Sequence, residues 1–261
     1  MRIMLTASNT SFLTQRWKLR EANSVEERKA AVAAAKEARE KIKVKGRLAT
    51  ILDETIATVE ESIATKEKED AEKMATQETE DAKALLAMRA QAGGLMQQLK
   101  FAEVRAIASA TFVKGAKAKH EQTGLAKWAD ALAKFKTTLV ADINASGAAP
   151  YTQQIKRKTG ALVPGAATRA NELGVQVTTP YGSTPLMWTD TSPDTMHRMG
   201  RYFIRPDLSA DVKAERQWQS GAFAIFAGKK AEARELLNAA ADAKAEYKTD
   251  LPLLLEIVDR P

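Results

Sequence analysis

Hydrophobic positions recur along much of this chain with the period of a helix. Leu48, Leu52, Ile56, Val59 and Ile63 step by four, four, three and four residues and make one narrow apolar stripe. Leu125, Trp128, Leu132, Phe135, Leu139 and Ile143 repeat the pattern, with Lys127, Lys134 and Lys136 off the stripe. These eleven residues are the candidate partner-helix packing positions, whether the partner helix belongs to this chain or to another. "NSVEERKAAV" places Ser24 and Glu27 three apart, the spacing of a capping box, and predicts a helix over 25–42. "KIKVKGR" at 41–47 alternates Lys with Ile and Val around a glycine, which predicts a break or a short extended piece.

Between the stripes the pattern vanishes. "TKEKEDAEKMATQETEDAK", residues 65–83, holds Met74 as its one large apolar residue. No Gly or Pro interrupts residues 47–92. The expectation is therefore a continuous helix exposed on all sides over 64–84, supported by Lys–Glu pairs such as Glu69–Lys73 and Lys68–Glu72, each contributing about 0.2–0.5 kcal/mol. Gly93 and Gly94 predict a hinge, a turn or a close helix crossing. Leu95, Met96, Leu99, Val104, Ile107, Phe112 and Val113 predict a further helix. "NASGAAP" at 144–150 ends the run and suggests a domain boundary.

Residues 150–208 hold six of the chain's eight prolines and five glycines, so this part is expected to be long and irregular, with "VQVTT" as one short strand. Helix resumes beyond Ser209, a plausible cap. "QWQSGAFAIFAGKKAEARELLNAAADAKAEY" reads as a helical hairpin turning near Gly228, with Trp218, Phe223, Phe226, Leu236 and Leu237 as its core. In packing geometry it resembles a lone tetratricopeptide-type unit. "LPLLLEIVDRP" closes the chain as an apolar tail. The resulting fold class is mainly α, with long N-terminal helices in a bundle or coiled-coil-like hairpin, a Pro/Gly-rich irregular middle and a C-terminal helical hairpin. The expected organisation is a basic arm or transit-like segment (1–23), a long-helix domain (24–147), an extended segment (148–208) and a hairpin with its tail (209–261).

Charge and composition narrow the chemistry. The chain is basic, at +7, but unevenly: residues 1–50 carry +7, residues 51–100 carry −5, and residues 201–261 balance. Adjacent blocks of opposite sign suit complementary protein surfaces. Cysteine is absent, which excludes disulfides and thiolate chemistry, and there are only two histidines. No phosphate-binding glycine loop, nucleophile elbow or zincin motif occurs. "DTSPDTMHR" brings Asp190, Asp194 and His197 together, a set capable of metal ligation or acid–base work, or of nothing more than capping a turn with His197 exposed. Lys156, Arg157 and Lys158, near Tyr151, are the candidate contacts for an anionic partner.

No apolar run reaches the ~18 residues of a membrane span. The first twenty residues contain four basic and no acidic side chains, with five Ser or Thr, the composition of a mitochondrial transit segment. The expectation is a non-catalytic structural or accessory subunit without cofactor or metal. It would bridge other subunits of a mitochondrial bioenergetic complex, such as an accessory or stalk-type subunit of the ATP synthase or respiratory chain. The alternatives are a mitochondrial ribosomal protein contacting RNA through basic loops, and a virion or filament component. A cytoplasmic location is the alternative address.

Overall fold

A computed structural model describes residues 7–41, 47–147 and 149–260, with the side chains of residues 7–13, 41 and 48 outside that description. The chain is mainly α-helical. It divides into two compact units, Met1–Thr79 and Glu80–Pro261.

In the first unit, α1 (Ala7–Glu21) and α2 (Val25–Lys41) precede the first half of α3 (Arg47–Gln97). The capping box forms: the Glu27 amide donates to Ser24 Oγ at 3.1 Å, and the amides of Asn23 and Ser24 donate back to Glu27 Oε2 at 2.9 and 3.2 Å. Those amides hold the Glu27 carboxyl below its usual range. Helices α2 and α3 run antiparallel, as three nested ion pairs record: Arg39 with Asp53 at 2.9 Å, Lys36 with Glu60 at 2.6 Å and Lys29 with Glu67 at 2.5 Å. Between them Leu52, Ile56 and Ile63 bury against Leu19, Val32 and Ala35, with Val59 half-buried beside them. The exposed ion pairs set register, whereas the apolar seam supplies most of the stability. The expected extended piece at 41–47 falls almost wholly outside the described residues.

In the second unit, α3 continues through Gly93 and Gly94, and neither glycine makes a turn or a crossing. The helix ends at Gln97 in a Schellman motif: the Lys100 amide bonds the Leu95 carbonyl at 3.0 Å and the Leu99 amide bonds the Met96 carbonyl at 3.0 Å. The left-handed position, usually glycine, is Leu99 at φ +57°. Its side chain is buried, as is that of Phe101, so packing offsets the strain. The expected helix over 95–113 is therefore broken: α4 spans Phe101–Ala110, and Phe112 is exposed.

Helix α5 (Ala116–Ala145) is the axis of this unit. Leu132, Phe135, Leu139 and Ile143 are buried along it, and Leu125 and Trp128 are half-buried. Phe135 stacks on Phe223 with centroids 4.1 Å apart. The middle segment is more regular than its prolines and glycines suggest. Strands β1 (Ile155–Lys156) and β2 (Leu162–Val163) form one antiparallel pair. β3 (Ala166–Ala170), β4 (Gly174–Thr179) and β5 (Gly182–Met187) form a second antiparallel sheet in that order. Val175, Val177 and Leu186 turn into the core shared with α5, Tyr151 and Ile155. One core thus extends on both sides of the boundary expected near residue 147.

A 3₁₀ turn (Trp188–Asp190) leads to α6 (Pro193–Tyr202). Then α7 (Ala210–Phe226) and α8 (Lys230–Ala243) form the expected hairpin, with Gly228 at φ +73° in its turn. Ser209 caps α7 by accepting from the Val212 amide. Gly221 lets α8 close, since a Cβ there would meet Leu237 at 2.8 Å. The apolar tail is α9 (Ala245–Asp259), with Leu254 and Val258 buried against α5, α7 and α8. Among the described residues no helix is long and apolar enough to cross a membrane.

Candidate functional site

The residues that carry the sequence's main lead are Ala64 to Glu80. They form uninterrupted helix within α3, and all but Gln77 are exposed. Met74, the one large apolar side chain of the run, is 65% exposed, so no described residue buries it. The run contains three lysines and six acidic residues, a balance of −3. The ion pairs within the run are Lys66 with Asp70 at 3.4 Å, Lys66 with Glu69 at 3.9 Å and Lys73 with Asp70 at 3.9 Å, and at its two ends Glu67 meets Lys29 and Glu80 meets Lys114. They replace the expected pairs Glu69–Lys73 and Lys68–Glu72. Thr65, Thr76 and Thr79 tie their hydroxyls to the carbonyls of Glu61, Glu72 and Ala75 at 2.8–2.9 Å, one turn back. Between those end pairs the segment is held by local backbone and side-chain bonds, because it has no packed face.

Exposure ends sharply at Asp81. Its carboxylate accepts the backbone amides of Lys114 at 2.9 Å and Gly115 at 2.7 Å. These amides belong to the start of α5, whose N-cap, Gly115, has no side chain to do this work. The amide of Lys114, then that of Gly115, hold the carboxyl below its ordinary value. In sequence Asp81 is one more acid in "ETEDAK", and no local pattern separates it from Glu78 or Glu80. Gln122 performs the reciprocal task, donating its amide to the carbonyls of Ala108 at 2.7 Å and Thr111 at the end of α4.

The two stripes lie mostly inward. Leu52, Ile56, Val59 and Ile63 face α1 and α2, and Leu125 to Ile143 face the core of the second unit. The Leu48 side chain falls outside the described residues.

Lys156, Arg157 and Lys158 form the end of β1 and the turn after it. The Lys158 amide bonds the Asp190 carbonyl at 2.7 Å, and the Lys156 amide bonds Thr195 Oγ1 at 3.0 Å. The backbone is therefore fixed, while Lys158 is exposed. Among the described residues none of the three side chains pairs with a carboxylate within 4 Å, so together they present three uncompensated positive charges.

Asp190, Asp194 and His197 do not converge. Ser192 caps α6 by accepting the Thr195 amide at 3.1 Å. Asp194 meets Lys229 at 2.8 Å and Arg198 at 3.2 Å. His197 is fully buried, contrary to the exposed histidine of a simple cap, and neither ring nitrogen has a hydrogen-bond partner. Its Nδ1 lies 3.8 Å from a Glu232 oxygen that is engaged by Arg201 at 2.7 Å. Burial lowers its pKa to about 4, against the opposing pull of Glu232. Among the described residues no group of three His, Asp or Glu side chains is arranged to hold a metal ion. No protein-family model, curated protein or solved structure matches this chain.

Proposed function

We propose that this chain is a non-catalytic structural subunit that bridges other proteins of a larger assembly. The observation that supports it is the Ala64–Glu80 stretch of α3. A helix of this length covers roughly 25 Å, and it keeps its charged surface and Met74 in water on every side. Helical stability in proteins ordinarily comes from packing an apolar face. A stretch that forgoes such a face and still contains no Gly or Pro is suited to holding a distance and offering a surface to partners.

The finer reading places the assembly in the mitochondrion, as an accessory or stalk-type subunit of the ATP synthase or respiratory chain. Its support is the basic, acid-free start of the chain. A second reading is a mitochondrial ribosomal protein, favoured by the three uncompensated cations at Lys156–Lys158 on a fixed backbone. Native electrophoresis of detergent-solubilised cell fractions, with identification of co-migrating chains, separates the readings. A bioenergetic subunit migrates with membrane complexes and survives ribonuclease. A ribosomal protein sediments with rRNA and detaches as salt rises. Migration as a free monomer in every fraction overturns the bridging function.

A further inference from the structure

Within the second unit, the last turns of α3, α5, the start of α8 and the end of α9 enclose a groove of about 440 Å³. One wall contains Gly93. A glycine in a helix interior is about 1 kcal/mol less favourable than alanine. Apart from its chain neighbours and the adjacent backbone of α3, no described atom comes within 4 Å of the place a Cβ would take. The packing of the described residues therefore gives no reason for the glycine. What the missing side chain leaves is open backbone facing the groove.

The groove has the periodicity of a helix seat. Arg89, Gly93 and Met96 on α3, and Glu121, Leu125 and Trp128 on α5, each step by four and three residues. They make two rows roughly 10 Å long. Met96, Leu125, Trp128, Ile225 and Ile257 supply an apolar floor. Charge marks the rim. Arg89 is ion-paired with Glu121, and an Arg260 guanidinium nitrogen lies 3.7 Å from the same carboxylate oxygen. Lys230 Nζ donates to the Arg260 carbonyl at 2.7 Å and meets no carboxylate among the described residues. Among the groove-lining residues described, three cations thus face one anion.

We propose that this groove seats an acidic amphipathic helix from a protein partner. Its apolar ridge, at i, i+4 and i+7, would lie over Met96, Leu125 and Trp128. Its flanking Glu or Asp side chains would meet Arg89, Lys230 and Arg260, and its backbone would cross α3 closely at Gly93. The proposal rests on the bridging-subunit reading and names the chemistry of one partner.

The test is selection from a displayed library of helical peptides about four turns long against the full chain. The enriched peptides are expected to carry an apolar i, i+4, i+7 ridge with acidic flanks. Gly93→Leu, which fills the groove from an exposed position, should weaken them by roughly tenfold or more without lowering Tm. Combined Arg89→Glu and Arg260→Glu should remove the preference for acidic flanks. No enrichment relative to the Gly93→Leu chain overturns the proposal, as does enrichment of basic flanks. Self-association in sedimentation that Gly93→Leu abolishes also overturns it, by giving the groove to a second copy. If native complexes persist with Gly93→Leu, the groove proposal fails and the bridging function stands. Absence of any native complex fails the bridging function itself.

Discussion

Gly200 of α6 lies directly against the ring of Phe135 on α5, so closely that a Cβ would overlap the ring edge. Phe135 cannot retreat, because it is stacked on Phe223 at 4.1 Å. Gly200→Ala gains about 0.5–1 kcal/mol of helix propensity but overpacks a closed core, which costs about 1–3 kcal/mol or more. A net loss of about 2 kcal/mol is expected, read as a drop of roughly 4–8 °C in Tm. Phe135→Leu in the same chain should recover part of it. An unchanged or raised Tm would show that α6 does not close on α5 as described.

Asp81→Asn keeps the shape of the side chain and removes its charge. The folded pKa is below the unfolded one, so the charge contributes stability above pH ~4, and that contribution is lost as pH falls through the lowered folded value. Urea titrations at pH 7 should show the Asn variant less stable than the parent, and the gap should shrink progressively as pH falls below ~4 towards the lowered folded value. A gap that stays constant from pH 7 through the acid range would trace the effect to something other than the carboxylate.

His197 acts with the same sign in a higher pH window. It is buried and neutral, with its pKa lowered to about 4 from 6.5. Between those values the unfolded chain binds a proton that the folded chain does not, so stability falls as pH drops from 6.5 towards 4. The full effect is about 3 kcal/mol. His197→Phe should flatten that part of the stability–pH curve. NMR titration of the ring, giving a midpoint above 6, would refute the burial argument.

Ala71→Pro breaks α3 inside its exposed stretch, where a proline costs about 3 kcal/mol or more of helix stability. Helical circular dichroism should fall, and co-migrating partners should be lost. The near-ultraviolet signal of Trp188 and Trp218 should melt unchanged. If partners remain bound to this variant, the rigidity of Ala64–Glu80 is not what recruits them.

Much of the helical framework is legible because its signals are local. Ser24 with Glu27, the α5 stripe, Ser209 and the turn at Gly228 each lie within a few residues of what they control. The exposed stretch of α3 is legible for the same reason, as a long run with no apolar period. What escapes the sequence is nonlocal. "AATRA" and "GSTPLM" have poor strand propensity, and they become β3 and β5 because each pairs with β4. The break after Gln97 has no Gly, Pro or Asn to announce it; burial of Leu99 and Phe101 imposes it. Asp81 is hidden among solvated acids, since its partners are the amides of Lys114 and Gly115, more than thirty residues away.

The link between α4 and α5 has a further consequence. The end of α4 is closed by Gln122 of α5, and the beginning of α5 is closed by Asp81 of α3. Thr111 closes the Ile107 carbonyl locally, but the Ala108 and Thr111 carbonyls and the Lys114 and Gly115 amides are met from other helices. Deuterium uptake at the Lys114 and Gly115 amides is therefore a built-in gauge of how often α3 lifts away from α5, readable without a label or a substitution.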